Sequence, residues 1–179
     1  MDYSYKKILP EDVFVSINGI PDDLTAAPHD AAQYLVGNKR TGVELLDMFA
    51  YAMWRCPFSE IRTFAERLGL PELLLAHTIR ALSGIGAVEW RNRYILLAMF
   101  ELLEYSELNM IQIAERLNFP NSTVFSKFFK RHVKCTPLEW RFRKRGFHVN
   151  KMDIMAYKLK QYEARRGEPT DTATKSADT

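Results

Sequence analysis

Apolar residues fall at helical spacing through most of the middle of the chain. Ile111, Ala114 and Leu117 form one stripe, and Leu75, Ile79 and Leu82 another. At about 100° per residue, Val124, Phe125, Phe128 and Phe129 share one side of a helix. Val88 to Glu104 is longer and has no Pro or Gly; Ile95, Leu96, Met99, Leu102 and Leu103 give it its apolar rows. Polar residues punctuate these stretches. Asn109 caps a helix, with Gln112 as its reciprocal partner. Asn121 caps the next helix, which runs to about Val133. Thr136-Pro137-Leu138-Glu139 places a cap, a proline at the first helical position and a capping-box glutamate in turn. The chain therefore reads as all-α. The one strand-like stretch is near the start: Val13, Val15 and Ile17 alternate ahead of the turn pair Asn18-Gly19, a pattern compatible with a small β-hairpin arm. Thr25 to Asp30 reads as loop. Asn150 caps a further helix through Met152, Met155, Leu159 and Tyr162, and beyond Gly167 no large apolar residue remains, so that tail is expected to be disordered.

Two stretches repeat. Residues 65–71 read Ala-Glu-Arg-Leu-Gly-Leu-Pro and residues 114–120 read Ala-Glu-Arg-Leu-Asn-Phe-Pro. A repeat of this kind marks a supersecondary unit used twice, and each copy fits helix–turn–helix. Ala65 and Ala114 are small enough to let a second helix approach. Gly69 and Asn118 fall at the turn, where those two residue types best tolerate a left-handed backbone. Leu70 and Phe119 then plug the core beneath it. In the second copy the helix after the turn is aromatic inside. Outside it carries Thr123, Ser126, Lys127 and Lys130, with Ser122 and Arg131 at the margins. Hydroxyls can bond base edges, and lysines can reach guanine acceptors or phosphates. A helix N-terminus can add free N–H groups.

Composition excludes more than it identifies. With 179 residues, 47% hydrophobic and 26% charged, the chain is an ordinary globular domain with appendages. The longest apolar run, Ile95 to Phe100, is far short of the roughly 20 residues a membrane span needs. Met1 to Pro10 has no signal-peptide core. Cys56 and Cys135 make no disulfide framework and fit a reducing cytoplasm better than secretion. The net charge of +3 is unevenly spread: residues 106–150 carry nine basic and three acidic groups, whereas residues 1–57 carry five and eight. A basic block suits a polyanion, although a merely solvated face explains charge alone equally well. No phosphate loop, nucleotide-binding glycine pattern or metalloprotease motif is present. His132 and Cys135 lack further metal ligands nearby, and His29, His77 and His148 are scattered. Glu101 and Glu104 read as solvated charge on a linker helix. No catalytic residue, metal or cofactor is expected, and the chain is not expected to be an enzyme.

The residues Ile111-Gln-Ile-Ala-Glu-Arg-Leu-Asn-Phe, Phe125-Ser-Lys-Phe-Phe-Lys-Arg-His132 and Thr136-Pro-Leu-Glu-Trp-Arg141 together resemble the C-terminal signature of the AraC/XylS-type bacterial transcription regulators. The likeness extends over about residues 42–145. It implies a seven-helix DNA-binding domain: two helix–turn–helix subdomains joined by a long linker helix, with recognition helices entering successive major-groove segments of double-stranded DNA. The organisation expected is an N-terminal arm over 1–40 and a DNA-binding domain over 41–146. Within it the first helix–turn–helix spans about 59–83, the linker about 88–105 and the second about 109–133. A C-terminal helix over 147–166 and a tail over 167–179 follow. Carried over from the family pattern, base readout falls to Ser122, Thr123 and Lys127, with Ser126 a further candidate. Phosphate contact falls to Asn121, Lys130, Arg131 and Arg141. The first subdomain offers weaker candidates, Leu73, Ala76, His77 and Arg80.

The first subdomain departs from the family. Residues 71–82 carry only Glu72 and Arg80, whereas residues 121–134 carry Lys127, Lys130, Arg131 and Lys134. The expected function is sequence-specific transcription regulation with the second helix–turn–helix dominant. One copy of the chain could span two groove segments, and RNA polymerase is a candidate partner. The competing reading is a protein-interaction module that keeps the fold and has lost much of its DNA binding, with Leu73 and Ala76 facing another protein. Asn118 and Lys134 stand where the family commonly has Gly. The sugar-binding barrel that many members carry ahead of this domain does not fit in residues 1–40.

Overall fold

A computed structural model describes residues 6–17 and 41–146. Every regular element among them is helical, so the all-α expectation holds. In chain order these are α1 (Pro10–Val13), α2 (Glu44–Arg55), α3 (Ile61–Arg67), α4 (Glu72–Ser83), α5 (Ala87–Tyr105), α6 (Met110–Arg116), α7 (Ser122–Val133) and α8 (Pro137–Lys144). Leaving out the single turn of α1, the remaining seven match the helix number the family resemblance implies. The C-terminal helix and tail expected over 147–179, and the loop over Thr25 to Asp30, lie outside the described residues.

The strand-like arm is corrected. Pro10–Val13 is a helical turn, and Phe14 to Ile17 continues without strand pairing. The cause is local. Pro10 opens the turn with its φ already set, and the Asp12 carboxylate accepts the Leu9 N–H at 2.9 Å. The alternation of Val13, Val15 and Ile17 reflects something other than a sheet: Val13 and Ile17 are buried, and Ser16 between them is exposed. Asn18 and Gly19 are outside the described residues.

Contacts divide the chain at Pro137 and Leu138. In the larger unit, α2, α3 and α4 form a first helical body. Leu46, Phe49, Met53, Phe64, Leu75 and Ile79 are fully buried there, and Phe49 meets Phe64 edge-on at 5.3 Å. A second body is built by α6 and α7 around Ile113, Ala114, Leu117, Phe125 and Phe129. The 19 residues of α5 serve both bodies and span about 28 Å at 1.5 Å per residue. Trp90 of α5 packs on Phe49 at 5.1 Å, and Phe100 meets Phe129 at 5.7 Å. Loop residues also join the bodies. Phe58 donates its N–H to the Leu117 carbonyl at 3.2 Å and stacks its ring on Phe119 at 4.0 Å. The Arg91 guanidinium lies 5.9 Å from that ring and donates to the Ser59 carbonyl at 2.9 Å. Burial pulls the Arg91 pKa down, and nearby Glu60 partly restores it.

In the smaller unit the described residues are the rest of α8 and the turn after it. The Lys144 ammonium sits 5.0 Å above the Trp140 ring, and the Arg145 N–H bonds the Arg141 carbonyl at 3.0 Å.

Candidate nucleic-acid interface

The two helix–turn–helix units end their first helices in the same way. Leu70 N–H bonds Ala65 carbonyl at 2.9 Å, and Gly69 N–H bonds Glu66 carbonyl at 3.1 Å. In the second copy Phe119 N–H bonds Ala114 carbonyl at 2.8 Å, and Asn118 N–H bonds Glu115 carbonyl at 2.9 Å. This is the Schellman closure, and it requires a left-handed residue at the turn. Gly69 has φ 65° and Asn118 has φ 59°, so Asn does here what Gly does there. The starts of the second helices differ. Pro71 caps α4 without a side-chain bond, whereas the Asn121 side chain accepts the Val124 N–H at 2.9 Å. Asn121 is an extra residue in the second turn. The repeat offset is therefore 49 through the turn and 50 along the recognition helices, pairing Leu73 with Thr123, Ala76 with Ser126, His77 with Lys127 and Arg80 with Lys130.

Burial follows that pairing. Leu75 and Ile79 are buried, as are Phe125 and Phe129. On the outward side Thr123, Lys127, Lys130 and Arg131 are exposed, and Ser122 and Ser126 are half-buried. Asn121 is exposed, with its oxygen committed to the cap. Val124 and Phe128 are half-buried; Phe128 packs edge-on against Phe119 at 5.6 Å and against Phe58 at 6.0 Å. In α4, Leu73 is 66% exposed, His77 and Arg80 are exposed and Ala76 is half-buried.

Arg141, expected at a phosphate, is only 5% exposed. The exposed cations of α8 are Arg143 and Lys144. Two features were missed. Leu74 is 49% exposed beside Leu73, and its pairing with Val124 was concealed by the one-residue change in offset. Lys134 takes φ 66°, and its ammonium donates to the Arg131 carbonyl at 2.8 Å. It thus caps the negative end of α7 as well as adding charge.

His132 closes the site. Its ring lies 4.6 Å from that of Phe128. Burial lowers its pKa below the usual 6.5, and the neighbouring Arg131 and Lys134 lower it further. With Glu89, Asn92 and Arg93 of α5 it lines an open cleft of about 550 Å³. Among the described residues no cluster of three or more His, Cys, Asp or Glu could hold a metal ion, and no helix is long and apolar enough to cross a membrane.

Residues 64–143 match the family model described as a helix-turn-helix domain. The RhaR protein of Enterobacter sp. (strain 638), named an HTH-type transcriptional activator, is 29% identical over 85 residues. Over these residues the chain is similar to helix–turn–helix domains of transcription regulators. That match covers 48% of this chain and 30% of RhaR, so the chain corresponds to less than a third of that relative. The same fold occurs in the C-terminal domain of AraT, a response regulator from Geobacillus stearothermophilus. There the TM-score is 0.51 at 21% identity, covering 63% of this chain and 93% of that one. The DNA-binding domain of AdpA, a global transcriptional factor solved with a target DNA, is similar at TM-score 0.49 and 23% identity, covering 56% of this chain and 94% of its own.

Proposed function

We propose that this AraC-type domain binds double-stranded DNA and that the whole chain acts as a sequence-specific transcription regulator in the bacterial cytoplasm. The observation that carries the reading is α7. Phe125 and Phe129 are buried, Phe128 is half-buried, and Thr123, Lys127, Lys130 and Arg131 stand outward together. An amphipathic helix with cations and hydroxyls on its free side is built for a major groove: hydroxyls and Lys127 at base edges, Lys130 and Arg131 at phosphates. Asn121, with the exposed N-terminus of α7, contributes to phosphate binding. Arg141 remains a candidate for a phosphate, and Arg143 and Lys144 are exposed on the same helix. The second unit dominates because the first, neutral along α4, gains little from phosphate charge. The chemistry is recognition, with no catalytic step and no cofactor. RNA polymerase remains a natural partner for a regulator bound beside a promoter.

The test is selection of binding sequences from random duplexes at near-physiological salt, followed by footprinting. Protection of two major-groove segments on one face of the duplex supports the reading. Exposed Leu73 and Leu74 favour a second one, in which α4 docks on a protein and the chain protects no DNA.

A further inference from the structure

We infer that residues 6–17 are a brace that holds the two helix–turn–helix bodies at a fixed separation, and that Glu101 is its anchoring residue. The segment runs along α5 and is tied at both ends to different bodies. At its start, the Ile8 N–H donates to the Leu82 carbonyl at the end of α4, at 3.1 Å. The Ile8 carbonyl accepts from Trp90 Nε1 at 3.4 Å. In the middle, Val13 is buried and Phe14 meets Tyr94 edge-on at 5.3 Å. At its end the Glu101 carboxylate accepts twice, from the Ser16 hydroxyl and from the Ile17 N–H, the latter at 3.0 Å. Arg116, the last residue of α6, donates to the Ile17 carbonyl at 3.3 Å. One short stretch of chain therefore touches α4 of the first body, α5, and α6 of the second.

The need for a brace lies in the turn between α4 and α5. It contains Gly84 in a left-handed conformation, φ 76°, and Gly86 two residues on. Glycine leaves a turn free to swing, because no Cβ restricts its backbone. The brace closes on this turn: Ile8 binds Leu82, and the Lys7 side chain lies 3.1 Å from where a Cβ on Gly84 would stand. Apolar packing alone can slide. A carboxylate that accepts a backbone N–H fixes register as well as proximity, and such charge-assisted bonds are the stronger ones. Glu101 is thus a positioning residue for the recognition helices, acting through the brace.

The consequence for binding rests on the DNA-binding reading. Two segments engaged by rigidly spaced units bind with the benefit of a high effective concentration, which a loosened spacing forfeits. The experiment keeps the two inferences apart by measuring geometry without DNA. Spin labels at exposed Glu66 and Glu115, equivalent positions on α3 and α6, report the separation of the bodies in the full chain with Cys56 and Cys135 replaced by serine. A narrow distance distribution is expected. It should broaden in Glu101→Ala, stay narrow in Glu101→Gln, which still offers a carbonyl to the Ile17 N–H, and broaden again in Arg116→Met, which cuts the other tie. Circular dichroism confirms that each variant is folded. On DNA, Glu101→Ala should weaken binding to a duplex with both groove segments by about tenfold and leave a one-segment duplex unchanged. An unaltered distribution in folded Glu101→Ala and Arg116→Met overturns the brace. A broadened distribution in a chain that binds neither duplex upholds the brace and overturns the DNA-binding reading instead.

Discussion

The two recognition helices share a scaffold and differ in chemistry. Helices α4 and α7 have the same length, the same buried positions at their fourth and eighth residues, and a left-handed residue just past the end, Gly84 in one and Lys134 in the other. Yet where α7 presents Thr123, Ser126, Lys127 and Lys130, α4 presents Leu73, Ala76, His77 and Arg80. The buried side sets the fold, and many apolar residues satisfy it equally; Ile79 does in α4 what Phe129 does in α7. The outward side is unconstrained by folding, so it is where the two units diverge. Similarity of fold between them therefore says little about whether they bind alike.

That comparison can be broken most sharply in the core. Phe129→Ala removes a fully buried ring and should cost roughly 3–5 kcal/mol, read as a loss of thermal or denaturant stability. Ile79→Ala in α4 should cost about 2–5 kcal/mol, so the two bodies depend on equivalent positions to similar degree. An unchanged melting curve for Phe129→Ala would mean that the helix phase is misassigned.

On the outward side the units should separate. Lys127→Ala should cost about 1–3 kcal/mol on the selected duplex and relax the preference at one base position. A uniform loss on every sequence would reassign Lys127 to a phosphate. His77→Ala, at the paired position in α4, should cost less, because that helix carries no net charge to draw it to the phosphates. The smallest base-reading effect belongs to Leu73. If it meets a thymine methyl, replacing that thymine by uracil should cost roughly 0.8 kcal/mol, about the worth of one buried carbon group. The penalty should vanish in Leu73→Ala. Uracil tolerated at every position in the parent would hand Leu73 and Leu74 to a protein partner.

A pH series adds a further contrast, since α4 has half-buried Leu82 where α7 has His132. Burial and the charges of Arg131 and Lys134 hold His132 below its ordinary value of 6.5, with Glu89 and Arg93 lining the cleft it shares. The unfolded chain therefore binds the proton more readily. Stability is unaffected above pH 6.5 and falls as the pH drops through the folded value. His132→Gln should flatten that decline in thermal melts. A decline of the same steepness in the variant would remove His132 as its source.

Much of this was legible in the sequence because helices with one wet side write their phase into it. The Phe125 and Phe129 spacing, the Asn109 and Asn121 caps and the repeated Ala-Glu-Arg-Leu turn carry their own geometry. What escaped depends on partners distant in sequence. Glu101 looked like solvated charge, since nothing near it in the chain hints at Ser16 and Ile17. The burial of Arg141 was not legible, since composition does not distinguish a buried arginine from an exposed one. Val13, Val15 and Ile17 looked like a strand because a segment laid across a helix alternates as a strand does. The extra Asn121 shifted the repeat register by one, which only superposing the two units' burial patterns reveals.

The most direct measurement of the central claim is the salt dependence of binding to the selected duplex. With the outward side of α7 against DNA, log K should fall linearly with log salt by about 0.9 per neutralised phosphate, and Lys130→Ala and Arg131→Ala should each reduce the slope by roughly 1. A slope that is flat, or that is the same in the parent and both variants, would place that side of α7 away from the duplex.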